Sequence, residues 1–480
     1  MNRSEIFNTF FFVVLSLLTI SFVLPIAFNS ILIIILFIVL LVDYRNFWNT
    51  LTAYINNKKN ILLLVIFFCI LLSFFYSDDK ETAKKAIISA LPLIIVPLSL
   101  AGDTTLSKKR IQFLKKLFVY ACLVSSIVYL LLAIKRSGML DGSYKLVHAP
   151  ENFYAYFISQ LTYNHLSPSI HAIFYSLYIA LAILIIVYDF QKISLKEKIL
   201  CGVLAFYFLV YLLLLISIII NFALYSFLIL NFYFKSSFKK WWHYCVFFGG
   251  IAFGTATTAY ITTIKYFGPY GDGTYRFDSP SINQKLLLAL AAVFLIGIIA
   301  IIIKRIFQKK YISVLIGALI IAAISSVIYF QFNKNKIGDL KKNSISIRIK
   351  YGDAAVNIIK AHPFLGIGIG DKKNKWIMRS EDLPPGAAPE HVFNSHNQFL
   401  DFWVAAGIIP FICFVLFLIN QLRTAWRGKH IVYLGLTYCF CLFCLTDSAM
   451  MVQRGQVFFL FFVWLFELDS KRKEEQNFLN

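Results

Sequence analysis

Charged side chains, and acidic ones above all, are scarce in this sequence. Only 15% of the 480 residues are charged, against roughly 25% in a typical soluble domain. The 24 acidic residues are outnumbered by 46 lysines and arginines, and 59% of the chain is hydrophobic. This composition excludes a soluble globular protein and a disordered chain. It is typical of an integral membrane protein.

Cysteine is also sparse, and its placement excludes a disulfide scaffold. All eight cysteines lie in apolar segments, and the long polar loops contain none, so nothing indicates a disulfide framework. Cys439, Cys441 and Cys444 share one apolar segment without partner histidines or carboxylates. We interpret these three as packing residues and not as a metal site.

Apolar runs long enough to cross a membrane recur along the whole chain, since about 20 mostly apolar residues span a bilayer. Pro25 divides one over-long run, and the region of Ser217 and Asn221 divides another. The predicted spans lie at about 7–24, 26–42, 61–76, 86–101, 117–134, 170–189, 199–216, 217–234, 241–263, 286–306, 311–330, 404–421, 431–446 and 455–468. The sequence therefore predicts an all-α, polytopic membrane helix bundle of about 12–14 transmembrane helices.

The distribution of basic residues predicts the orientation of the bundle. If the N-terminus is cytoplasmic, the inner segments hold 25 lysines and arginines in 82 residues, and the outer loops hold 21 in 147. Basic residues are thus about twice as dense inside, as the positive-inside rule requires. We predict a multi-pass membrane protein with both termini cytoplasmic. The net charge of +22 then sets orientation, and no nucleic-acid partner is expected.

The longest predicted loop, 331–403, lies on the outer side, and long loops are usually functional. It divides the chain into an N-terminal bundle of about eleven spans (1–330), the large outer loop (331–403), and about three C-terminal spans with a cytoplasmic tail (404–480). Apolar residues recur at helical spacing from 347 to 359, which predicts an amphipathic helix on the membrane surface or under the loop. Pro363 ends this helix.

A glycine-rich stretch, 366–371, follows the predicted amphipathic helix. A dinucleotide fingerprint would need a preceding strand, and none is predicted. We interpret the stretch as a turn that returns the chain toward the membrane. A cradle of backbone amides for phosphate is the alternative.

Histidines at the end of the large loop are candidates for proton transfer. His391 and His396 precede the twelfth predicted span, and Asn397 and Gln398 follow His396 directly. The two histidines lack the H-E-x-x-H spacing, so no metal site is expected. The alternative for His396 is a histidine bonded to a loop carbonyl at the start of a helix. Arg454, in the short outer loop 447–454, is either a surface anchor or a group that faces an anionic head group.

Several of these segments resemble one known family. Residues 395–400 (SHNQFL) and 406–409 (AGII) resemble the signature of the O-antigen ligase and O-antigen polymerase superfamily. The path from Arg348 through 361–368 (AHPFLGIG) to Asp371 is similar to it as well. Residues 446–459 resemble the versions of this family in Bacteroidetes. The strong resemblance covers about 345–465, and the polytopic layout extends it to the remaining chain.

The resemblance implies a metal-independent glycan transferase without a cofactor. It implies transfer of a glycan from undecaprenyl pyrophosphate to an acceptor hydroxyl, on a lipid A–core sugar, at the periplasmic face. It further implies that the protein lies in the bacterial inner membrane and that its large outer loop is periplasmic. The partners implied are the carrier-linked donor, the lipid A–core or another glycan acceptor, and membrane lipids. The family's motif histidine corresponds to His396, and its loop arginine corresponds to Arg348.

We therefore expect His396 to act as the general base that removes the acceptor's hydroxyl proton. Arginines stabilise a pyrophosphate leaving group because their planar fork matches phosphate oxygens. Arg348 is the first candidate for that role, followed by Arg454 and Arg276. The residues expected to make secondary contacts with the substrate are Asn397, Gln398, His391 and His171.

One departure from the family pattern leaves three alternatives open. The family has a Ser-Arg pair before the large loop, whereas the corresponding stretch here has Ser217 without an arginine. Another cation replaces it, or activity is reduced, or the chain is an inactive member. A polysaccharide polymerase of the same superfamily is a further alternative, and so is a transporter that flips lipid-linked glycans. The sequence shows no clear internal repeat of the kind that transporters often have.

Overall fold

The computed structural model describes residues 3–42, 44–101, 106–136, 166–190, 194–215, 217–235, 344–372 and 395–479. Within these ranges the secondary structure consists of helices joined by turns, and no strand is found. The prediction of an all-α fold is therefore confirmed.

The described N-terminal region contains ten helices. The described parts of the large loop and the C-terminal region contain five helices and one short 3-10 turn. The first group is α1 (Arg3–Ser21), α2 (Ile26–Val42), α3 (Tyr44–Asn56), α4 (Lys58–Tyr76), α5 (Lys80–Ala90), α6 (Pro92–Ala101), α7 (Lys108–Arg136), α8 (Ala172–Asp189), α9 (Leu195–Leu214) and α10 (Ile218–Lys235). The second group is α11 (Ser344–Ala361), α12 (Gln398–Ala406), α13 (Ile408–Arg427), α14 (Ile431–Cys444), the 3-10 turn Ala449–Met451 and α15 (Gln453–Leu479). These counts apply only to the ranges that the structure describes.

Six helical segments in the described ranges are long and apolar enough to cross a membrane, or seven if the bent pair of α2 and α3 is one span. The six are Lys58–Tyr76, Lys80–Ala101, Lys108–Arg136, Ala172–Asp189, Leu195–Leu214 and Ile408–Arg427. The chain is thus a polytopic helix bundle. The total of 12–14 spans stays a prediction, because the spans predicted at 241–263, 286–306 and 311–330 lie outside the described residues.

The predicted breaks between spans agree with the structure, and two further features were not predicted. α1 ends at Ser21 and α2 begins at Ile26, so a turn surrounds Pro25, and a second break separates α9 from α10. The unpredicted features are α3, which lies in a segment expected to be a loop, and a break at Gly407 that separates α12 from α13. Gly407 has φ +88°, a left-handed conformation that glycine adopts without steric cost.

The centre of the bundle is formed by α8 and α15. Every residue from 172 to 186 is buried, as is every residue from 454 to 467. A helix that is apolar on all sides belongs inside a bundle, and aromatic rings connect α15 to α8 and to α7. The ring centroids of Tyr178 and Phe458 lie 4.3 Å apart, and those of Phe118 and Phe462 lie 4.6 Å apart. In a bilayer such close van der Waals packing is what holds helices together.

The polar side chains gather at two opposite ends of the bundle. One end, called the Lys59 end, contains ion pairs between Lys59 and Glu467, between Lys115 and both Asp189 and Asp469, and between His430 and Asp469. The other, called the His396 end, contains Asp79, Asp371, His396 and Asp447. The 19 residues of α4 connect the two ends over about 28 Å, which is close to the thickness of the hydrocarbon core.

Candidate active site

His396 stands at the start of α12 with an unusual backbone. Its φ is +49°, in a left-handed region that costs a residue with a side chain about 1–2 kcal/mol. The next residue, Asn397, is the N-cap of α12, and its side-chain oxygen accepts the backbone N–H groups of Phe399 and Leu400 at 3.0 and 3.2 Å. Strain of this kind persists only where the surrounding structure fixes it.

A buried ionic anchor fixes the turn that carries His396. The backbone N–H of Ser395 donates to Asp401 Oδ1 at 3.0 Å, and the Ser395 hydroxyl lies 3.0 Å from the same oxygen. The other oxygen, Oδ2, lies 3.3 Å from Nζ of Lys372, with the Asp401 side chain fully buried. Lys372 follows the glycine-rich turn, so the anchor ties two distant segments of the large loop to α12.

The imidazole of His396 lies between an aromatic ring and a carboxylate. The ring of Tyr351, on α11, is 5.7 Å from it between centroids and inclined by 18°. Oδ1 of Asp447 lies 3.9 Å from His396 Nδ1, and 32% of the His396 side chain is exposed. At this distance the carboxylate acts on the ring through its charge, and a nearby negative charge favours the imidazolium that a histidine forms when it takes up a proton. That arrangement suits a general base.

Tyr351 belongs to the amphipathic helix that the sequence predicts. One face of α11, comprising Tyr351, Ala355 and Ile358, is buried against Ile367 and Val404. The helix therefore packs on α12. Burial raises the pKa of Tyr351, so its phenol stays protonated at neutral pH and the contact with His396 is made by a neutral ring.

The glycine-rich turn packs backbone against backbone. Ile367 N–H donates to the carbonyl of Val404 at 2.9 Å, and the N–H groups of Ile369 and Gly370 donate to Ser73 and Ser77 hydroxyls at 3.3 and 3.2 Å. These amides are therefore used within the protein, which supports the interpretation as a turn and argues against a phosphate cradle.

A carboxylate ties the glycine-rich turn to the N-terminal bundle. Asp371 Oδ1 accepts the backbone N–H groups of Asp78 and Asp79 at 2.8 and 2.9 Å. Asp79 is also the N-cap of α5, and the N–H and hydroxyl of Thr82 that donate to its carboxylate lower the pKa of that group. The large loop is therefore fixed to the α4–α5 turn as well as to α12.

Arg454 holds backbone carbonyls in place at the same end. Its Nη1 donates to the Ser169 carbonyl at 3.1 Å and its Nη2 to the Leu24 carbonyl at 3.0 Å. The residue is only 6% exposed. It thus joins the α1–α2 turn, the segment before α8 and the start of α15, which is a positioning role for three chain segments.

One known protein family matches the part of the chain that contains this site. Residues 286–415 match the family model described as O-antigen ligase. The match covers 130 of the 480 residues and shows that this part of the chain is similar to that family. The matched region contains α11, the glycine-rich turn, His396 and the first turns of α13, and the match supports a glycosyltransferase activity of the O-antigen ligase and polymerase type. Among curated proteins, none matches the chain in sequence.

The remaining candidates, the four secondary residues and Arg276, fall into three groups. Asn397 and Gln398 fix α12: the Asn397 amide donates to the Leu445 carbonyl at 3.4 Å, and Gln398 Oε1 accepts the Met450 N–H at 2.6 Å. His171 is exposed at the N-cap of α8. His391 and Arg276 lie outside the described residues.

Arg348 lies on α11, one turn before Tyr351. Among the described residues, no group of three or more His, Cys, Asp or Glu side chains could hold a metal ion. Metal independence stays a prediction.

Sequence reasoning missed how His396 is supported. Tyr351 was assigned only to an apolar stripe, and Asp447 only to a short outer loop. Asp401 and Lys372 were assigned no role. The one sequence signal for this support is an isolated carboxylate, Asp401, four residues after the N-cap Asn397 in an otherwise apolar helix start.

Proposed function

We propose that this protein transfers a glycan from undecaprenyl pyrophosphate to an acceptor hydroxyl, on a lipid A–core sugar, at the periplasmic face of the inner membrane. The observation that carries this proposal is the placement of His396, with a carboxylate at Nδ1 and a neutral ring against its face, at the end of a membrane bundle. The match to the O-antigen ligase family supports the same reaction class.

His396 is the general base of the proposed reaction. Its Nε2 takes the proton of the acceptor hydroxyl as that oxygen attacks the anomeric carbon. The bond between this carbon and the pyrophosphate oxygen breaks, and the lipid pyrophosphate leaves with the electron pair. Asp447 stabilises the imidazolium that forms, because a nearby opposite charge favours the protonated form. General-base catalysis of this kind contributes about 10²–10⁴-fold in rate.

Arginines supply the positive charge that the leaving pyrophosphate requires. Arg348 is the first candidate because α11 brings it within one turn of the ring that contacts His396. Arg276 is a second candidate and supplies a cation that the stretch around Ser217 lacks. The two carbonyls that Arg454 holds favour a positioning role over direct contact with pyrophosphate.

Polymerase activity is the nearest alternative, since a polymerase passes the glycan to another carrier-linked repeat by the same chemistry. Gel analysis of lipopolysaccharide from a deletion strain distinguishes the two. A ligase predicts loss of every ladder band from the core while carrier-linked polymer accumulates. A single repeat left on the core indicates a polymerase, and a normal ladder with altered glycoproteins contradicts both.

The deletion strain is then complemented with variants. The parent chain restores the ladder, whereas His396→Ala, inserted into the membrane at parental level, leaves it absent. A normal ladder in the His396→Ala strain contradicts the assignment of His396 as the base.

A further inference from the structure

We propose that a cavity at the Lys59 end of the bundle binds the head group of an anionic phospholipid. The cavity has a volume of about 510 Å³ and lies where α3, α4, α6, α13 and α15 meet. Six of the residues that line it are Asn57, Lys58, Lys59, Thr424, Glu467 and Lys471. This inference does not depend on the proposed transferase function.

The charges of the cavity favour an anion. Nζ of Lys59, a buried residue, pairs with the Glu467 carboxylate and donates to the Thr424 hydroxyl at 3.1 Å. Nζ of Lys471 lies 3.3 Å from the other Glu467 oxygen, with 60% of its side chain exposed, and Lys58 is exposed as well. The cavity therefore contains one carboxylate, which contacts two ammonium groups, and a third ammonium group on Lys58. Lys58 and Lys471 are accessible from outside.

The cavity lies at the level expected for lipid head groups. The cavity lies at the start of α4, about 28 Å from the His396 end. A bundle that spans the bilayer therefore places the cavity at the membrane surface opposite to His396. The neighbouring helix α3 meets α2 at an angle of 113°. Trp48 on α3 is 67% exposed, and tryptophan is enriched at the interface between head groups and hydrocarbon.

Apolar side chains beside the cavity match the acyl chains of a lipid. Ile61, two residues after Lys59, is 42% exposed, and Leu416 and Ile419, just before the lining residue Asn420, are 45% and 37% exposed. A free phosphate gains nothing from such surface, whereas a phospholipid covers it with its chains. Basic pockets between membrane helices are also known to bind acidic head groups. We therefore assign the cavity to a phospholipid and not to a soluble phosphate.

Thermal unfolding of the full-length protein in detergent, followed by tryptophan fluorescence, tests this proposal. Mixed micelles containing phosphatidylglycerol are compared with phosphatidylcholine micelles and with inorganic phosphate. Phosphatidylglycerol is expected to raise the Tm at lower concentration than phosphatidylcholine, and inorganic phosphate is not expected to compete with it.

Two double variants locate the effect. Lys58→Gln with Lys471→Gln removes the two accessible cations and is expected to weaken the apparent affinity for phosphatidylglycerol about tenfold or more. The control, Lys84→Gln with Lys85→Gln, removes the same charge from exposed positions of α5 and is expected to keep the parental affinity. Equal responses to the two lipids overturn the proposal, as does parental affinity in the cavity variant. Displacement of the lipid by inorganic phosphate overturns the lipid assignment.

Discussion

At His396 a strained backbone is stabilised by a carboxylate, Asp401, that is five residues further along the chain. The left-handed φ of +49° aims the side chain away from the path of α12, toward Tyr351 and Asp447. The sequence predicts His396 itself because a histidine after a polar loop stands out. The partners could not be predicted, since Tyr351 and Asp447 approach His396 only through tertiary packing. Their separations along the chain, 45 and 51 residues, carry no local pattern.

Asp447 is expected to position the imidazole and to stabilise its protonated form. Asp447→Asn keeps the size of the side chain but removes the charge that faces Nδ1. We expect a fall in kcat with KM little changed, and a shift of the acidic limb of the pH–rate profile to lower pH, because a neighbouring carboxylate favours the protonated ring. The measurement is the pH dependence of glycan transfer by purified protein.

Two comparisons show whether the Asp447 effect is electrostatic. Asp447→Glu keeps the charge and should recover part of kcat. A profile of Asp447→Asn that falls in height without moving along the pH axis would mean that the residue supports structure only.

The Asp401–Lys372 pair is expected to fix the His396 turn. Asp401→Asn leaves the Lys372 ammonium without its partner at a site where Lys372 is 10% exposed, which costs about 3 kcal/mol. Lower thermal stability in detergent checks this. The double variant Asp401→Asn with Lys372→Gln removes both charges and is expected to lose less stability than the single variant. If the stability lost by the double variant equals the sum of the losses in Asp401→Asn and Lys372→Gln alone, the two residues do not interact.

At the scale of helices, the large loop is organised by α11 packing on α12. The helix, its apolar face and its end before Pro363 could all be predicted from spacing. Its docking partner could not, because Ile367 and Val404 lie in other segments. α3 escaped prediction because it is short, lies between two spans and mixes Thr and Asn with aromatic residues.

Ile358 is expected to hold α11 against α12. Ile358→Ala removes a side chain that is 4% exposed, a change that costs about 2–4 kcal/mol in a packed interface. Hydrogen exchange across 344–361 should therefore be faster. Val356→Ala is the matched control, because Val356 is 40% exposed on the opposite side and its loss should leave exchange unchanged. Equal exchange in both variants would contradict the packing of this helix.

At the scale of the whole molecule, spans and charge density predict a bundle with two chemically distinct ends, and the structure gathers polar residues at two such ends. In each helix that extends from one end to the other, the residues predicted to be cytoplasmic lie at the Lys59 end. Buried ion pairs could not be predicted. Lys115 and Asp469, for example, are 354 residues apart, and a lysine near the end of a span usually indicates only which side of the membrane that end is on. The basic residues from which we predict the orientation of the bundle also supply the ammonium groups of the lipid cavity.

Orientation can be tested with single introduced cysteines. Lys84→Cys lies at the His396 end and Lys471→Cys at the Lys59 end, both exposed. A membrane-impermeant maleimide added to spheroplasts should label Lys84→Cys, whereas Lys471→Cys should react only after permeabilisation. The parent chain, whose cysteines lie in apolar segments, gives the background. The reverse pattern would place the His396 end in the cytoplasm and contradict the proposed periplasmic reaction.

The most direct test of the central claim is glycan transfer by purified His396→Ala in proteoliposomes, with a carrier-pyrophosphate glycan as donor and lipid A–core as acceptor. His362→Ala, which removes an exposed histidine of the same loop, is the control. The account predicts that His396→Ala lowers kcat by about 10²–10⁴-fold with parental Tm, while His362→Ala transfers at the parental rate. Parental transfer by a correctly folded His396→Ala protein would contradict it.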